Sequence, residues 1–376
     1  MEATRRGTFL SFQPPAITED EVAAVAETLR SGWLTTGPRT AELEARMCDY
    51  LEAKHVLAVS SCTAALHLSL VALGVGPGDE VITTSITWPA TANVIVHCGA
   101  TPVFADVRDD TLNIDPEHVR ALVTERTKAI VPVDLYGQPA DLDPLLALGP
   151  PLVEDAAHAA ESRYRGRKIG SIADLTCFSL YATKNIAAGE GGLIATNRDD
   201  LADALDDLRV MRRGHGSLYD IAVPGYKANL SDVLSSIALV QLDKVEQHAE
   251  IRRRHVAIYD EVVAELEGIE AVARDSRDTH ANHLYVVRID AERAGATRDD
   301  YQAALTDENI GTSIHFLPVH RLSAYRDRLA PHQPPLPVSE RAGSEVLSLP
   351  LSPAHSDDDI RDAATALRRV HARLSA

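Results

Sequence analysis

Basic charge is scarce in this chain, lysine most of all, and cysteine and aromatic residues are few. Lysine and arginine number 37 against 55 aspartates and glutamates over 376 residues, a formal net charge of -18. A nucleic-acid surface needs a basic face, so this balance excludes that role while leaving room for a local basic cluster that holds a small anion. The cysteines are Cys48, Cys62, Cys98 and Cys177, with no C-x-x-C pair and no secreted-scaffold spacing. That excludes a disulfide framework and leaves reduced core thiols. No apolar run reaches transmembrane length, and MEATRRGTFLSFQPP at the start holds no signal-peptide core. The expectation is a cytoplasmic protein that binds neither membrane nor nucleic acid. Lys54, Lys128, Lys168, Lys184, Lys227 and Lys244 are all the lysines present. A lysine at a constrained position is therefore less easily taken as surface filler.

Short, nearly uniformly apolar runs rich in Val and Ile mark the first two thirds: His55–Ser60, Glu80–Thr84, Thr101–Val107, Ala129–Val133, Leu152–Asp155, Leu175–Leu180 and Gly192–Thr196. Strands buried on both faces read this way. Helical patterns at Thr63–Leu73, Ala90–His97, Pro116–Leu122 and Leu142–Leu148 fall between several of them. Such alternation predicts an α/β fold, a mainly parallel sheet with helices on both faces and ligands beyond the carboxyl ends of the strands. A long helical pattern starts at Ser231, a residue suited to an N-cap. After Gly268 come a strand at Leu284–Ile289, a helix at Asp299–Glu308, a strand at Gly311–Phe316, a Pro-rich segment and a last helix at Asp357–Leu374. The expected division is a large domain over 1–250 and a smaller C-terminal α+β domain over 251–376.

Four features fall at strand ends of the large domain. In SSCTAALHL (60–68) a strand gives way to hydroxyls at the start of a helix, where free N–H groups suit a phosphate; taken alone, an ordinary Ser/Thr cap accounts for it as well. In LVEDAAHA (152–159) Asp155 ends a strand, where it serves either as a partner for a protonated ring nitrogen or as a helix cap, with His158 close behind. Trp88 in ITWPATAN (86–93) is either core or a flat face for stacking. The fourth is FSLYATKNIAAGEGG (178–192), which sets Ser179 and Lys184 ahead of a glycine-rich turn. Together a phosphate cradle, a carboxylate, an aromatic face and an amine describe the needs of pyridoxal 5'-phosphate. A metal fits less well, because the histidines show no paired ligand spacing. A serine hydrolase would need G-x-S-x-G, which does not occur.

With SGWLTTGP (31–38), GATPVFADV, DLYGQPADLD, GYKANLSD and IHFLPVH added in order, the chain resembles the nucleotide-sugar aminotransferases of the DegT/DnrJ/EryC/StrS group over nearly its whole length. That resemblance implies an aspartate-aminotransferase-like, fold type I architecture. Carried over, it makes Lys184 the lysine that bonds to the cofactor and later acts as base in the 1,3-proton shift. It makes Asp155 the partner of the pyridine nitrogen, His158 the neighbour of the phenolic oxygen and Trp88 the stacking residue. Cys62, Thr63 and Ser179 become the phosphate cradle. Asn229 resembles a residue that reaches the phosphate of a neighbouring subunit, which implies a homodimer with shared sites.

The sugar dehydratases of the group carry histidine in place of the lysine, so Lys184 points to the aminotransferases. Glu190 in GEGG, the proline-free YATK and IHFLPVH (314–320) resemble enzymes acting at sugar C-4, where C-3 enzymes more often carry GDGG or GDAG. The implied reaction moves an amino group from L-glutamate to a nucleotide-linked, dTDP-type 4-keto-6-deoxyhexose. A C-3 keto-sugar, a carbocyclic ketone and a non-catalytic cofactor-binding role are the alternatives. Thr35, Tyr181, Glu190, His315 and His320 are the expected substrate contacts, and Tyr181 departs from the histidine often found in C-4 relatives. Arg212, Arg213, His315 and His320 are the expected basic groups for the nucleotide's charge.

Overall fold

The computed structural model describes residues 5–210, 221 and 223–375. Helices α1 (Glu19–Ser31) and α2 (Pro38–Leu51) come first. Then β1 (His55–Val59), α3 (Cys62–Ala72), β2 (Glu80–Thr84), α4 (Ala90–His97), β3 (Thr101–Ala105), α5 (Pro116–Leu122), β4 (Thr127–Val131), α6 (Leu142–Leu146) and β5 (Val153–Asp155) alternate. A short hairpin, β6 (Arg163–Tyr164) and β7 (Arg167–Lys168), precedes β8 (Leu175–Ser179), β9 (Gly192–Thr196) and α7 (Asp199–Val210). The order β1-β9-β8-β5 continues to β4-β2-β3 through parallel bridges Ile130↔Leu152 and Val133↔Asp155. Within this sheet β9 runs antiparallel to both neighbours, while the β8-β5, β2-β4 and β2-β3 pairs are parallel. The apolar runs form strands for the expected reason: Ile82, Val103, Ile130, Val153, Leu175 and Ile194 are all fully buried.

Helix α8 (Asp232–Val263) is capped by Ser231, whose side chain accepts the Leu234 N–H. Its first half gives Ala238, Leu239, Leu242 and Val245 to the core of the large sheet. Its second half gives Val256, Tyr259, Val262 and Val263 to another core. That second core surrounds β10 (Ile269–Ala271), β11 (Tyr285–Ile289), α9 (Ala291–Ala294), α10 (Arg298–Asp307), β12 (Val346–Leu349) and α12 (Asp357–Leu374), where the strands pair antiparallel as β10-β11-β12, while α11 (Pro337–Glu345) gives Ala342 to a separate cluster with Leu284 and Val286. The expected 250/251 boundary thus falls inside an unbroken helix.

One expected element is absent: Gly311–Phe316 is not a strand. It makes only the isolated bridge Ser313↔Ser348, along the edge of β12 that faces away from β11. This frees Ser313, Ile314, His315 and Phe316 to face the large domain as a loop. Among the described residues no helix is long and apolar enough to cross a membrane.

Candidate active site

Three strand ends build the site. Leaving β1, the chain enters α3 with Ser61 as cap, its Oγ accepting the Ala64 N–H at 3.0 Å. Ala65 is bonded to the Ser61 carbonyl, so the Cys62 and Thr63 amides precede the helix's own ladder and are free for an anion. Beside them, residues 180–191 connect β8 to β9. This connection closes tightly: Leu180 N–H donates to the Gly191 carbonyl at 2.9 Å, and Ala188 N–H to the Leu180 carbonyl at 2.8 Å. Gly191 has φ 147°, in the region that favours glycine. Gly192 has no room for a side chain, since a Cβ there would sit 2.5 Å from the Ser61 carbonyl carbon and 2.6 Å from the Cys62 nitrogen. Glycine lets the lysine-bearing connection lie directly against the α3 N-terminus. A cavity of about 500 Å³ opens between these parts and the 313–316 loop.

Lys184 projects into it. Burial pushes its ammonium down to about 8, opposed by the neighbouring Cys62 and Asp155. Asp155 ends β5 on the far wall. Thr91 Oγ1 donates to its Oδ2 at 2.8 Å and the Ala157 N–H to its Oδ1 at 3.2 Å. Burial raises its pKa even so: these donors, the Cys62 thiol at 3.9 Å and a nearby amine do not replace lost water. The same burial raises the Cys62 thiol well above its usual value, so it is no thiolate. His158 stands well below the ordinary histidine value because it is buried and faces Lys184 and His315. Its Nδ1 accepts the Tyr136 N–H at 3.2 Å, so in the neutral ring the proton sits on Nε2.

These residues fit pyridoxal phosphate. The anion has the α3 amides and Ser179, and the amine stands across the cavity from a carboxylate whose burial calls for a cationic partner. Trp88, 65% exposed, offers a ring face at the rim. Among the described residues no three His, Cys, Asp or Glu side chains gather as a metal-ligand group.

The structure brings Cys62, Thr63, Trp88, Asp155, His158, Ser179 and Lys184 into one cavity, with Tyr181, Glu190 and His315 on its wall. His315 is not the cation expected of it, since burial pushes it down to about 4. His320 does not reach the cavity: Nδ1 pairs with Ser85 Oγ at 2.6 Å and Nε2 with Glu340 at 3.1 Å, so it ties the 318–321 turn to β2's end. Thr35 and Asn229 are also outside this chain's cavity; Asn229 Nδ2 donates to Thr36 Oγ1 at 2.5 Å. Arg212 and Arg213 lie outside the described residues. Sequence reasoning missed Thr91, which holds Asp155, and His283, which faces Lys184 at 3.5 Å. Thr91 is the second residue of α4, within ITWPATAN; His283 stands in no motif.

Comparison with known proteins agrees with this geometry. The model of the DegT/DnrJ/EryC1/StrS aminotransferase family matches residues 15–368. The chain is 43% identical over 381 residues to the spore coat polysaccharide biosynthesis protein SpsC of Bacillus subtilis (strain 168), across 97% of this chain and 98% of that protein. It is similar to the PLP form of the putative sugar aminotransferase Spr1654 from Streptococcus pneumoniae, with 33% identity, a TM-score of 0.90 and coverage of 97% and 99%. It is likewise similar to DesI, solved in the presence of its TDP-sugar product, with 34% identity, a TM-score of 0.90 and coverage of 100% and 95%. The chain belongs to the DegT/DnrJ/EryC1/StrS aminotransferase family, and it is a pyridoxal-phosphate-dependent aminotransferase of fold type I.

Proposed function

We propose that this sugar aminotransferase moves an amino group from L-glutamate to C-4 of a nucleotide-linked 4-keto-6-deoxyhexose. The observation that carries the reading is the common location of Lys184, Glu190 and His315 on one cavity. Glu190 and His315 belong to the segments by which the chain resembles C-4 enzymes, and both line the cavity that Lys184 enters. The TDP-sugar product of DesI, a neighbour matched over this whole chain, supports a nucleotide sugar as the substrate.

Bound pyridoxal phosphate supplies an electron-withdrawing ring that makes the proton on the amino-bearing carbon removable. The protein's own groups do the rest. The α3 amides and Ser179 would hold the phosphate, and Asp155 would hold the ring nitrogen in its charged form. His158, with its proton on Nε2, would donate to an oxygen on the ring. Lys184 would hold the cofactor and would move a proton at the amino-bearing carbon; its lowered pKa suits a base working near neutrality. The neutral His315 acts as a hydrogen-bonding group toward the sugar, so compensation of the nucleotide's charge falls to other residues.

We further propose a homodimer with active sites at the subunit interface. Thr35 and Asn229, outside their own chain's cavity, would serve the partner's. Exposed Trp33, Leu34 and Tyr226 give the same face an apolar surface.

A panel of nucleotide-linked 4-keto and 3-keto sugars and a carbocyclic ketone, each with glutamate, tests the substrate. Turnover of the 4-keto sugar at least tenfold above the others is the expected result. Activity confined to the 3-keto sugar or the carbocycle contradicts it.

A further inference from the structure

Behind Lys184 runs a row of buried polar side chains that the reaction above does not use. Arg252 on α8 pairs with Glu161, their side chains 2% and 5% exposed. Both Glu161 oxygens accept from Asn185 Nδ2, at 3.0 and 2.8 Å, and the same nitrogen reaches the Ala281 carbonyl at 3.2 Å. Carboxylate and carbonyl oxygens only accept, so the nitrogen end of the Asn185 amide must face them. Its oxygen then faces His283 Nδ1 at 2.9 Å, and Nδ1 must carry a proton. In a neutral imidazole Nε2 is left with its lone pair, and Nε2 lies 3.5 Å from Lys184 Nζ. Contacts of this length at catalytic sites tighten once ligand is bound.

His283 stacks on His158, ring centroids 4.4 Å apart and planes inclined at 27°. The two rings hold opposite tautomers, each set from behind. His158 takes a backbone N–H on Nδ1 and presents a donor; His283 gives its Nδ1–H to Asn185 and presents an acceptor.

We propose that His283 is a positioning residue for Lys184. Its Nε2 lone pair, locked in place through Asn185, Glu161 and Arg252, accepts an N–H of the amine and holds that amine over the reacting centre whenever it is not bonded to the cofactor. This rests on Lys184 being the reacting amine. His283 stays an acceptor because burial, Lys184, His158, Arg252 and His315 together hold its pKa well below the ordinary value.

The test reads the Lys184 amine itself. In the cofactor-free full-length chain, competitive trace acetylation across pH, followed on the Lys184 peptide by mass spectrometry, gives its apparent pKa. Cys62, Asp155, His158 and His315, the other titratable groups facing it, stay in place throughout. His283→Phe keeps a stacking ring and removes the lone pair. Loss of a hydrogen bond to the ammonium lowers the apparent pKa by about 1 unit. In the holoenzyme kcat falls about tenfold or more while KM for the amino donor changes little. His283→Gln, which returns an amide oxygen near the position of Nε2, restores the pKa. An unchanged Lys184 pKa in folded His283→Phe overturns the proposal. Should that variant not fold, Asn185→Leu frees the His283 tautomer with the ring still present, and an unchanged pKa there overturns it equally. Because the titration needs no sugar, its outcome is independent of the substrate reading; failure of Lys184 itself as the reacting amine would show instead as turnover in Lys184→Ala.

Discussion

Burial is what separates Lys184 from an ordinary surface lysine. With its ammonium at about 8, the neutral fraction at pH 7 is roughly 300-fold larger than for an unperturbed lysine. The neutral amine is the nucleophile, so uptake of pyridoxal phosphate by the cofactor-free chain should accelerate as pH rises and level off above about 8. Stopped-flow absorbance across pH 6 to 10 measures this; a rate still climbing at pH 10 would mean the amine is not buried as described. The sequence set Lys184, Asp155 and His158 at or just after strand ends, and the structure gathers all three on one cavity. It did not carry the electrostatic state of His315 or the role of His320. Both depend on neighbours elsewhere in the chain: burial and Lys184 for the first, Ser85 and Glu340 for the second. His283 was invisible for the same reason, standing 99 residues from the lysine it faces.

Between elements, the decisive contact is β9 against the start of α3. Gly192→Ala would drive a methyl into the Ser61–Cys62 peptide, whose atoms lie 2.5 and 2.6 Å from the added carbon. Backbone cannot yield as a flexible side chain does, so the phosphate amides move. Cofactor affinity should fall about tenfold or more, at least ~1.4 kcal/mol, in an equilibrium titration of the cofactor-free chain; unchanged affinity would separate the glycine from the cradle. The strands of the large sheet were legible because burial on both faces leaves continuous apolar runs. The small-domain elements were less so: β12 is four residues long, and α11 begins at Pro337 inside a Pro-rich stretch that reads as loop. Pro suits the first helical turn, where its missing N–H costs nothing. Helices α1 and α2 went unread, α2 in part because its start is held from afar. Gly37, Arg39 and Thr40 N–H groups all donate to Asp232.

At the scale of the whole molecule, the proposed shared site makes a mixing experiment informative. Lys184→Ala removes the amine from its own cavity, whereas Asn229→Asp places a negative charge beside the partner's phosphate. Dissociated and reassociated together, the two proteins should recover activity that neither has alone, since in a mixed dimer both lesions fall on one site. Recovery no greater than the sum of the separate proteins contradicts shared sites.

The central claim is that the Lys184 amine holds the cofactor and moves the proton. It is tested most directly by borohydride reduction of the cofactor-loaded protein, peptide mass spectrometry and an assay of Lys184→Ala. The wild-type chain should carry the reduced cofactor's mass on the peptide containing Lys184, and Lys184→Ala should carry none and lose turnover by about 10³-fold or more. Cofactor mass on another lysine, or turnover retained in Lys184→Ala, would contradict the account.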